Sequence, residues 1–250
     1  TLSKSFSDHV LDATNTFSLV VRDESELSGL PDDVKEAARE AARKAREGSD
    51  DAPAWKFTLH FPSYFPVLQY ADNRALRETM YKAHVTRASE LGPEYGQGKP
   101  EWDNSAIMLE LLRLRREEAQ LLGYANYGEV SLVPKMAETP EQVQKFLSEL
   151  AERAYPYAER DLRELREFAA AELGLAELEP WDIAYASEKL RQARYAFSEN
   201  EVKQYFPEPK VLAGLFRVIE TLFSVRIRPD AAPAWHPDVR VFEVRDPDGA

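Results

Sequence analysis

The sequence predicts a mainly α-helical protein with a few short strands. Through most of the 250-residue chain, apolar residues recur at steps of three and four, which is the spacing of an amphipathic helix. Alternation of apolar and polar residues, the pattern of a strand, is confined to short stretches near residues 55–60, 225–228 and 239–245. We expect these strands to belong to an incomplete sheet that other residues complete.

The first half of the chain contains four predicted helices. They cover residues 2–17, 31–47, 73–90 and 104–122. Gly48 is well placed to end the second helix, because glycine adopts the left-handed conformation at a helix end without strain. Pro62 and Pro66 bracket the aromatic pair Tyr64-Phe65, which predicts a turn or a short helix. The glycines and prolines of residues 92–100 predict a loop.

The longest predicted helix runs from Thr139 to about residue 173. Thr139 can cap the free N–H groups of the first turn, and Pro140 suits the first helical position. At a rise of 1.5 Å per residue this helix would be ~50 Å long, and we expect a kink near Pro156, where one backbone hydrogen bond is lost. Two further helices are predicted over residues 181–197 and 208–223.

Composition excludes several classes of function. The net charge of −12 argues against a general nucleic-acid binder, because affinity for phosphate comes mainly from Lys and Arg. The chain has no cysteine, so disulfides and thiol chemistry are excluded, as suits a cytoplasmic protein. No stretch approaches the ~18 consecutive apolar residues of a membrane span. We therefore expect neither nucleic acid nor membrane as a partner.

The four histidines do not have the spacing of a helical zinc site. Such a site needs two histidines four residues apart with a glutamate between them, so that both imidazoles share one face. His9, His60, His84 and His236 contain no such pair. We interpret His60 and His236 as structural or exposed groups near strands, and His9 and His84 as residues of polar helix faces. The prediction is that no residue of this chain binds a metal.

The remaining candidates for chemistry have simpler explanations. Ser5 to His9 places Ser, Asp and His together, but adjacency in sequence is not the geometry of a triad, and the polar side of the first helix explains it. Arg113 to Arg116 are followed at once by Glu117 and Glu118, so ion pairs along one helix explain this basic run better than nucleic acid does. The sequence therefore predicts no catalytic residue and no cofactor-binding residue.

Six aromatic residues near the C-terminal third have two possible roles, as core residues or as the lining of a peptide-binding cleft. General burial preference favours the core. They are Trp181, Tyr185, Tyr195, Phe197, Tyr205 and Phe206.

Several blocks of sequence, in order and with similar spacing, resemble the thimet-oligopeptidase-like family of zinc metallopeptidases, and within it the oligopeptidase A group. The blocks include residues 10–14, 62–64, 72–77, 102–105, 135–138, 180–185, 205–207, 214–216 and 235–244. Ala186, Ser224 and Val241 depart from the family, which often has an aromatic residue, Gly and Phe at these positions.

The resemblance implies a segment of an enzyme without its catalytic residues. In the family, an HExxH helix downstream of these blocks provides two zinc ligands and the general base, and this chain has no matching positions. Zinc is therefore expected in the intact parent enzyme and not in this chain. The implied fold is part of a two-lobed peptidase with a deep channel for short peptides. The implied role is cleft wall and scaffold, with the missing catalytic part of the same protein as partner.

The resemblance also implies two regions. Residues 1–174 would form a helical wall of the channel, and residues 175–250 would lead into the first strand of the catalytic domain. The turn-like Asp246-Pro247-Asp248-Gly249 has no strand after it, which favours a segment of a longer protein. The alternative is a free-standing helical binding or scaffold protein that lacks the catalytic half.

Overall fold

A computed structural model of the chain describes residues 1–49, 52–196 and 199–249. It divides the chain into two compact units, Thr1–Tyr195 and Ala196–Ala250. Helices make up most of the chain, as predicted, and strands form two small antiparallel sheets. Among the described residues, no helix is both long and apolar enough to cross a membrane.

The first unit contains nine α-helices within its described residues. They are α1 (Leu2–Thr16), α2 (Asp32–Lys44), α3 (Phe61–Tyr70), α4 (Arg74–Val85), α5 (Gly92–Tyr95), α6 (Ser105–Leu121), α7 (Tyr127–Leu132), α8 (Pro140–Glu172) and α9 (Ile183–Tyr195). Three short 3₁₀ turns lie between them, at Glu24–Leu27, Pro100–Trp102 and Pro180–Asp182.

The core of the first unit lies where a small sheet meets α2, α3 and α4. Strand β1 (Leu19–Val21) pairs antiparallel with β2 (Trp55–Phe57), so that Val20 lies opposite Lys56. The strand predicted over residues 55–60 ends early, because the chain turns after Phe57 into α3. Buried apolar side chains from these elements form one cluster with Phe17, which follows α1, and Leu27 of the first 3₁₀ turn. The cluster includes Phe57, Val67, Leu76 and Met80.

Helix α8 begins as the sequence predicts. The Thr139 hydroxyl accepts a hydrogen bond from the backbone N–H of Gln142 at 3.1 Å. The helix then runs as one element through Pro156 to Glu172. Only its C-terminal third enters a buried cluster, in which Leu165 and Ala169 pack against Ala186 of α9.

The end of α2 differs from the sequence prediction. Helix α2 ends at Lys44, before Gly48, and Arg46 takes the left-handed conformation with φ of 60°. The backbone N–H of Glu47 then donates to the carbonyl of Ala42 at 2.9 Å, which satisfies one of the free carbonyls of the last turn. Helix α3 is the short helix that the sequence allowed as an alternative to a turn, and it contains Pro66 in its interior.

The second unit consists of two helices and a hairpin of strands. Its elements are α10 (Glu199–Lys203), α11 (Glu208–Phe223), β3 (Arg226–Asp230) and β4 (Val241–Arg245). The strands pair antiparallel, with Arg228 opposite Glu243. The ring of Phe216 on α11 meets the ring of Phe242 on β4 edge to face, at 4.8 Å between centroids. The three strand regions predicted from sequence are therefore divided between two sheets.

Ser224 ends α11 in the left-handed conformation, with φ of 58°. This conformation strains any residue with a Cβ atom and favours glycine. The glycine that the resemblance implies at this position would adopt this conformation without strain, whereas Ser224 carries a Cβ atom.

Candidate functional site

The strongest site-like feature of the chain is a buried ionic cluster centred on the Asp182 carboxylate. The Asp182 side chain has no exposed surface, and its Oδ1 atom accepts a hydrogen bond from Nη2 of Arg77 at 2.7 Å. Its Oδ2 atom accepts from Nη2 of Arg74, also at 2.7 Å. The cluster thus joins the block at residues 72–77 to the block at residues 180–185.

Local structure explains how these three side chains meet. Pro180–Asp182 forms a 3₁₀ turn directly before α9, and the Asp182 carboxylate also accepts from the backbone N–H of Glu179 at 3.0 Å. Arg74 and Arg77 lie three residues apart in the first turns of α4, which places both guanidinium groups on one face. The turn aims one carboxylate at that face.

The environment of Asp182 keeps the carboxyl ionised. Burial by itself raises the pKa of Asp182, but the hydrogen bonds from Arg74 and Arg77 and from the Glu179 backbone together lower it. The net result is a pKa below the ordinary value of an aspartate. A buried carboxylate with filled acceptor positions serves to hold elements together, since it has no free position for a reacting proton.

Arg77 is the most buried cation of the cluster, with 1% of its surface exposed. Its Nη1 atom donates to the backbone carbonyl of Ala71 at 2.7 Å. The guanidinium carbon lies 4.1 Å from the centroid of the Tyr185 ring, in cation–π contact. Arg77 therefore connects the end of α3, the turn before α9 and the first turn of α9.

Asp72 forms a second polar junction beside the first. Its carboxylate accepts from the hydroxyl groups of Ser28 at 2.7 Å and Tyr185 at 2.9 Å, and it pairs with Nζ of Lys189 at 3.3 Å. Gly29 allows this approach, because a Cβ atom there would lie 2.3 Å from the carbonyl oxygen of Tyr70. Burial, with the hydrogen bond to Asp72, raises the pKa of Tyr185 to about 12.

A second buried carboxylate, Glu188, lies two turns further along α9 and is 3% exposed. It accepts from Nε2 of Gln69 on α3 at 3.1 Å and from Nε2 of Gln192 at 2.8 Å, and it also pairs with Arg191. Two buried carboxylates of one segment therefore face α3 and α4. The arrangement fixes α9 against these helices and provides no nucleophile.

Three of the four histidines contact a neighbouring side chain. His9 Nδ1 lies 2.9 Å from Asn104 Oδ1, and Nδ1 of His236 lies 3.5 Å from Oδ2 of Asp238. Nε2 of His84 lies 2.9 Å from Nη2 of Arg87. In the described part of the chain, no group of three or more potential metal ligands comes together.

The prediction that His9 and His84 lie on polar helix faces is wrong. The His84 ring is stacked on the Tyr64 ring at 4.1 Å between centroids. Burial, with the positive charge of Arg87, lowers the pKa of His84 to about 4. His9 bonds to Asn104, which is almost completely buried. Both rings are half-buried and join helices, which sequence periodicity did not reveal.

The interpretation of the basic run is confirmed for Arg113, which pairs with Glu110 at 2.7 Å and with Glu117. On the first helix, Asp8 pairs with Lys4 at 2.6 Å while His9 bonds to Asn104, so the polar side of that helix accounts for Asp8 and not for His9.

The aromatic residues considered from sequence differ in burial. Trp181 and Tyr185 are half-buried beside the ionic cluster, as the core interpretation requires. Tyr195, Tyr205 and Phe206 are exposed, so the core interpretation is wrong for these three. Phe197 lies outside the described residues.

Comparison with known proteins gives the class to which these blocks belong. The sequence profile of peptidase family M3 matches residues 67–250, which include both halves of the ionic cluster. The chain belongs to peptidase family M3.

Individual relatives are similar to this chain over almost its whole length. Oligopeptidase A of Escherichia coli K12 is 48% identical over 98% of the chain, and oligopeptidase A of Haemophilus influenzae is 46% identical over the same share. Dipeptidyl carboxypeptidase of Escherichia coli K12 is 31% identical over the whole chain. In each case the chain spans about a third of the relative's length, 35%.

Proposed function

We propose that this chain is a segment of a zinc-dependent oligopeptidase of the oligopeptidase A type, and that it supplies cleft wall and scaffold rather than catalysis. The main support is the 48% identity to a protein named oligopeptidase A over 98% of the chain. The match covers only 35% of that relative. On this proposal, the zinc ligands and the general base belong to the remaining part of the same protein.

The contacts within the chain support a scaffold role. Its buried charged groups among the described residues, Asp182, Arg77 and Glu188, are bonded to one another or to neighbouring helices. None of the four histidines has a second histidine at the spacing of a zinc helix. The chain's own residues thus position helices, and we derive no chemical step for them.

The proposed parent enzyme hydrolyses short peptides in the cytoplasm. Residues 1–174 would form a helical wall of its channel, and residues 175–250 would lead into the catalytic part. Helix α8, ~50 Å long at 1.5 Å per residue, suits a wall, because it is much longer than an ordinary element of a compact bundle. Exposed aromatic residues such as Tyr195 and Tyr205 are candidates for the channel surface.

The test is to produce the polypeptide extended to the full length of its relatives and to assay it with a quenched fluorescent peptide. We expect cleavage that a metal chelator abolishes and that added zinc restores. A folded extended polypeptide with no chelator-sensitive cleavage would contradict the proposal. It would favour the alternative of a helical binding or scaffold protein.

A further inference from the structure

Helix α8 is held at both ends but has an uncovered middle. Its start lies beside α7, and its C-terminal third packs on α9. Between these anchors, every residue from 141 to 163 except Val143 is exposed, and Val143 is partly exposed. Helices in proteins obtain most of their stability from packing of an apolar face. An exposed helical stretch of this length therefore indicates that a packing partner of α8 lies outside the described residues.

The uncovered stretch has the apolar pattern of a helix that packs against another helix. Val143, Leu147, Leu150, Ala154 and Tyr157 follow one another at steps of four, three, four and three residues. We call these five residues the α8 seam. This spacing keeps all five on one face and is the pattern by which two helices interlock. A globular surface or a bound extended peptide would not require it.

The two flanks of the α8 seam differ in charge and size. Arg153 and Arg160 lie on one flank, seven residues apart, and Ala151 and Ala158 lie on the other. Arg160 also pairs with Asp161 at 3.2 Å, in a contact exposed to solvent. The small residues permit close approach of a second helix, and the arginines favour acidic residues beside it.

A second copy of the chain fits this seam poorly. In an antiparallel pair of identical helices, equal flanks face each other, so the two arginine flanks would repel. In a parallel pair, each arginine flank would face the alanines and find no acidic partner. A different helix with an acidic flank satisfies both sides of the seam.

We propose that the α8 seam is the docking surface for an amphipathic helix with an acidic flank, supplied by the part of the same polypeptide that lies outside this chain. The inference rests on the proposed function, under which about two thirds of the protein lies elsewhere, as the 35% coverage of its relatives indicates. Docking would cover the exposed side chains of Leu147 and Leu150 and would fix the middle of α8.

Hydrogen exchange tests this directly. We compare the 250-residue chain with a polypeptide extended to the full length of its relatives. We expect backbone amides of residues 143–157 to exchange at least about tenfold more slowly in the extended polypeptide. Equal rates in the two proteins would overturn the proposal. Protection that appears in the 250-residue chain with rising concentration, together with a dimer in sedimentation, would also overturn it, in favour of a second copy.

Two pairs of variants identify the face that is covered. The change Leu147→Glu with Leu150→Glu should remove the protection in the long polypeptide, because it places two charges in the seam. The matched control, Ser148→Glu with Tyr155→Glu, places two charges on the outer face and should retain it. Equal protection in both variants would contradict docking at the seam.

The role of the arginine flank and the proposed enzymatic function are tested by separate measurements. Arg153→Glu with Arg160→Glu should weaken the protection, and unchanged protection would rule out an acidic flank on the partner. Peptide cleavage is measured on the same long polypeptide. Seam protection without cleavage would contradict the proposed function alone, whereas cleavage without seam protection would contradict the docking proposal alone.

Discussion

Among single residues, Asp182 has the largest expected effect on stability. Replacing it with asparagine leaves the buried guanidinium of Arg77 without its counter-charge. Removing one partner of a buried ion pair commonly costs about 3 kcal/mol, so we expect Asp182→Asn to lower the free energy of unfolding by about that amount. Urea denaturation followed by circular dichroism measures it.

The matched control is Asp161→Asn, because Asp161 pairs with Arg160 at a site where both side chains are 66% exposed. An exposed pair contributes little, so the change should stay within about 0.5 kcal/mol. Equal effects of the two substitutions would contradict the central position of Asp182.

The lowered pKa of Asp182 adds a second expectation. Its stabilisation is present above the unfolded pKa of about 3.9 and is lost as the pH falls through the folded value, and Asp182→Asn should lack this loss.

Stability also depends on pH through His84, whose environment favours the neutral imidazole. Its folded pKa of about 4 lies below the ordinary 6.5, so the unfolded chain takes up the proton first as the pH falls. Stability is therefore complete above about pH 6.5 and declines between 6.5 and 4. We expect a loss of about 1 kcal/mol from this half-buried group between pH 7 and pH 5.

Two measurements check the His84 prediction. The imidazole resonances of His84 should titrate with a midpoint near 4. In His84→Phe, which keeps a ring beside Tyr64, the loss of stability between pH 7 and pH 5 should become smaller. A midpoint near 6.5 for His84, or an unchanged pH dependence in the variant, would show that the ring is not held as described.

At the residue scale, sequence reasoning found the parts of the ionic cluster but not their pairing. The blocks that contain Arg77 and Asp182 were both identified by resemblance. They are separated by 105 residues, and only the three-dimensional path of the chain brings them together. An acidic residue within an apolar, proline-led turn such as Pro180-Trp181-Asp182 is a usable signal of a buried carboxylate that needs a cation.

At the scale of elements, the contact between α8 and α9 depends on small side chains. Ala169 and Ala186 have no exposed surface, and they allow the two helices to approach beside Leu165. We expect Ala186→Leu to cost about 1–3 kcal/mol, because the larger side chain has no space in this contact. Thermal unfolding measures the loss.

Ala193→Leu is the matched control, since Ala193 is exposed on the same helix. It should leave the unfolding temperature nearly unchanged. A similar loss in both variants would mean that leucine disturbs α9 itself rather than its packing.

Element types were more predictable than their ends and their pairing. The start of α8 at Thr139-Pro140 was predicted because capping depends on neighbouring residues alone. Helix α7 was missed because a six-residue helix has too few turns to show periodicity. The early end of α2 at Lys44 was missed because Arg46, rather than the expected Gly48, takes the left-handed conformation. The antiparallel pairing of β1 with β2 depends on tertiary contacts that a single strand pattern does not contain.

At the scale of the whole molecule, apolar side chains remain exposed on helices of both units. Leu109 and Leu121 on α6 are 71% and 87% exposed, and Leu222 and Phe223 on α11 are each 70% exposed. Extensive exposed apolar surface marks contacts with other protein. A segment that spans about a third of an M3 peptidase is expected to show such surfaces, and the α8 seam is one of them.

The central claim is that this chain provides structure to an oligopeptidase and no catalysis. The most direct measurement is the zinc content of the dialysed 250-residue chain, together with its cleavage of a quenched fluorescent peptide. We expect no stoichiometric zinc and no chelator-sensitive cleavage, while circular dichroism still shows a mainly helical fold. One zinc ion per chain, or cleavage that a chelator abolishes, would contradict the claim.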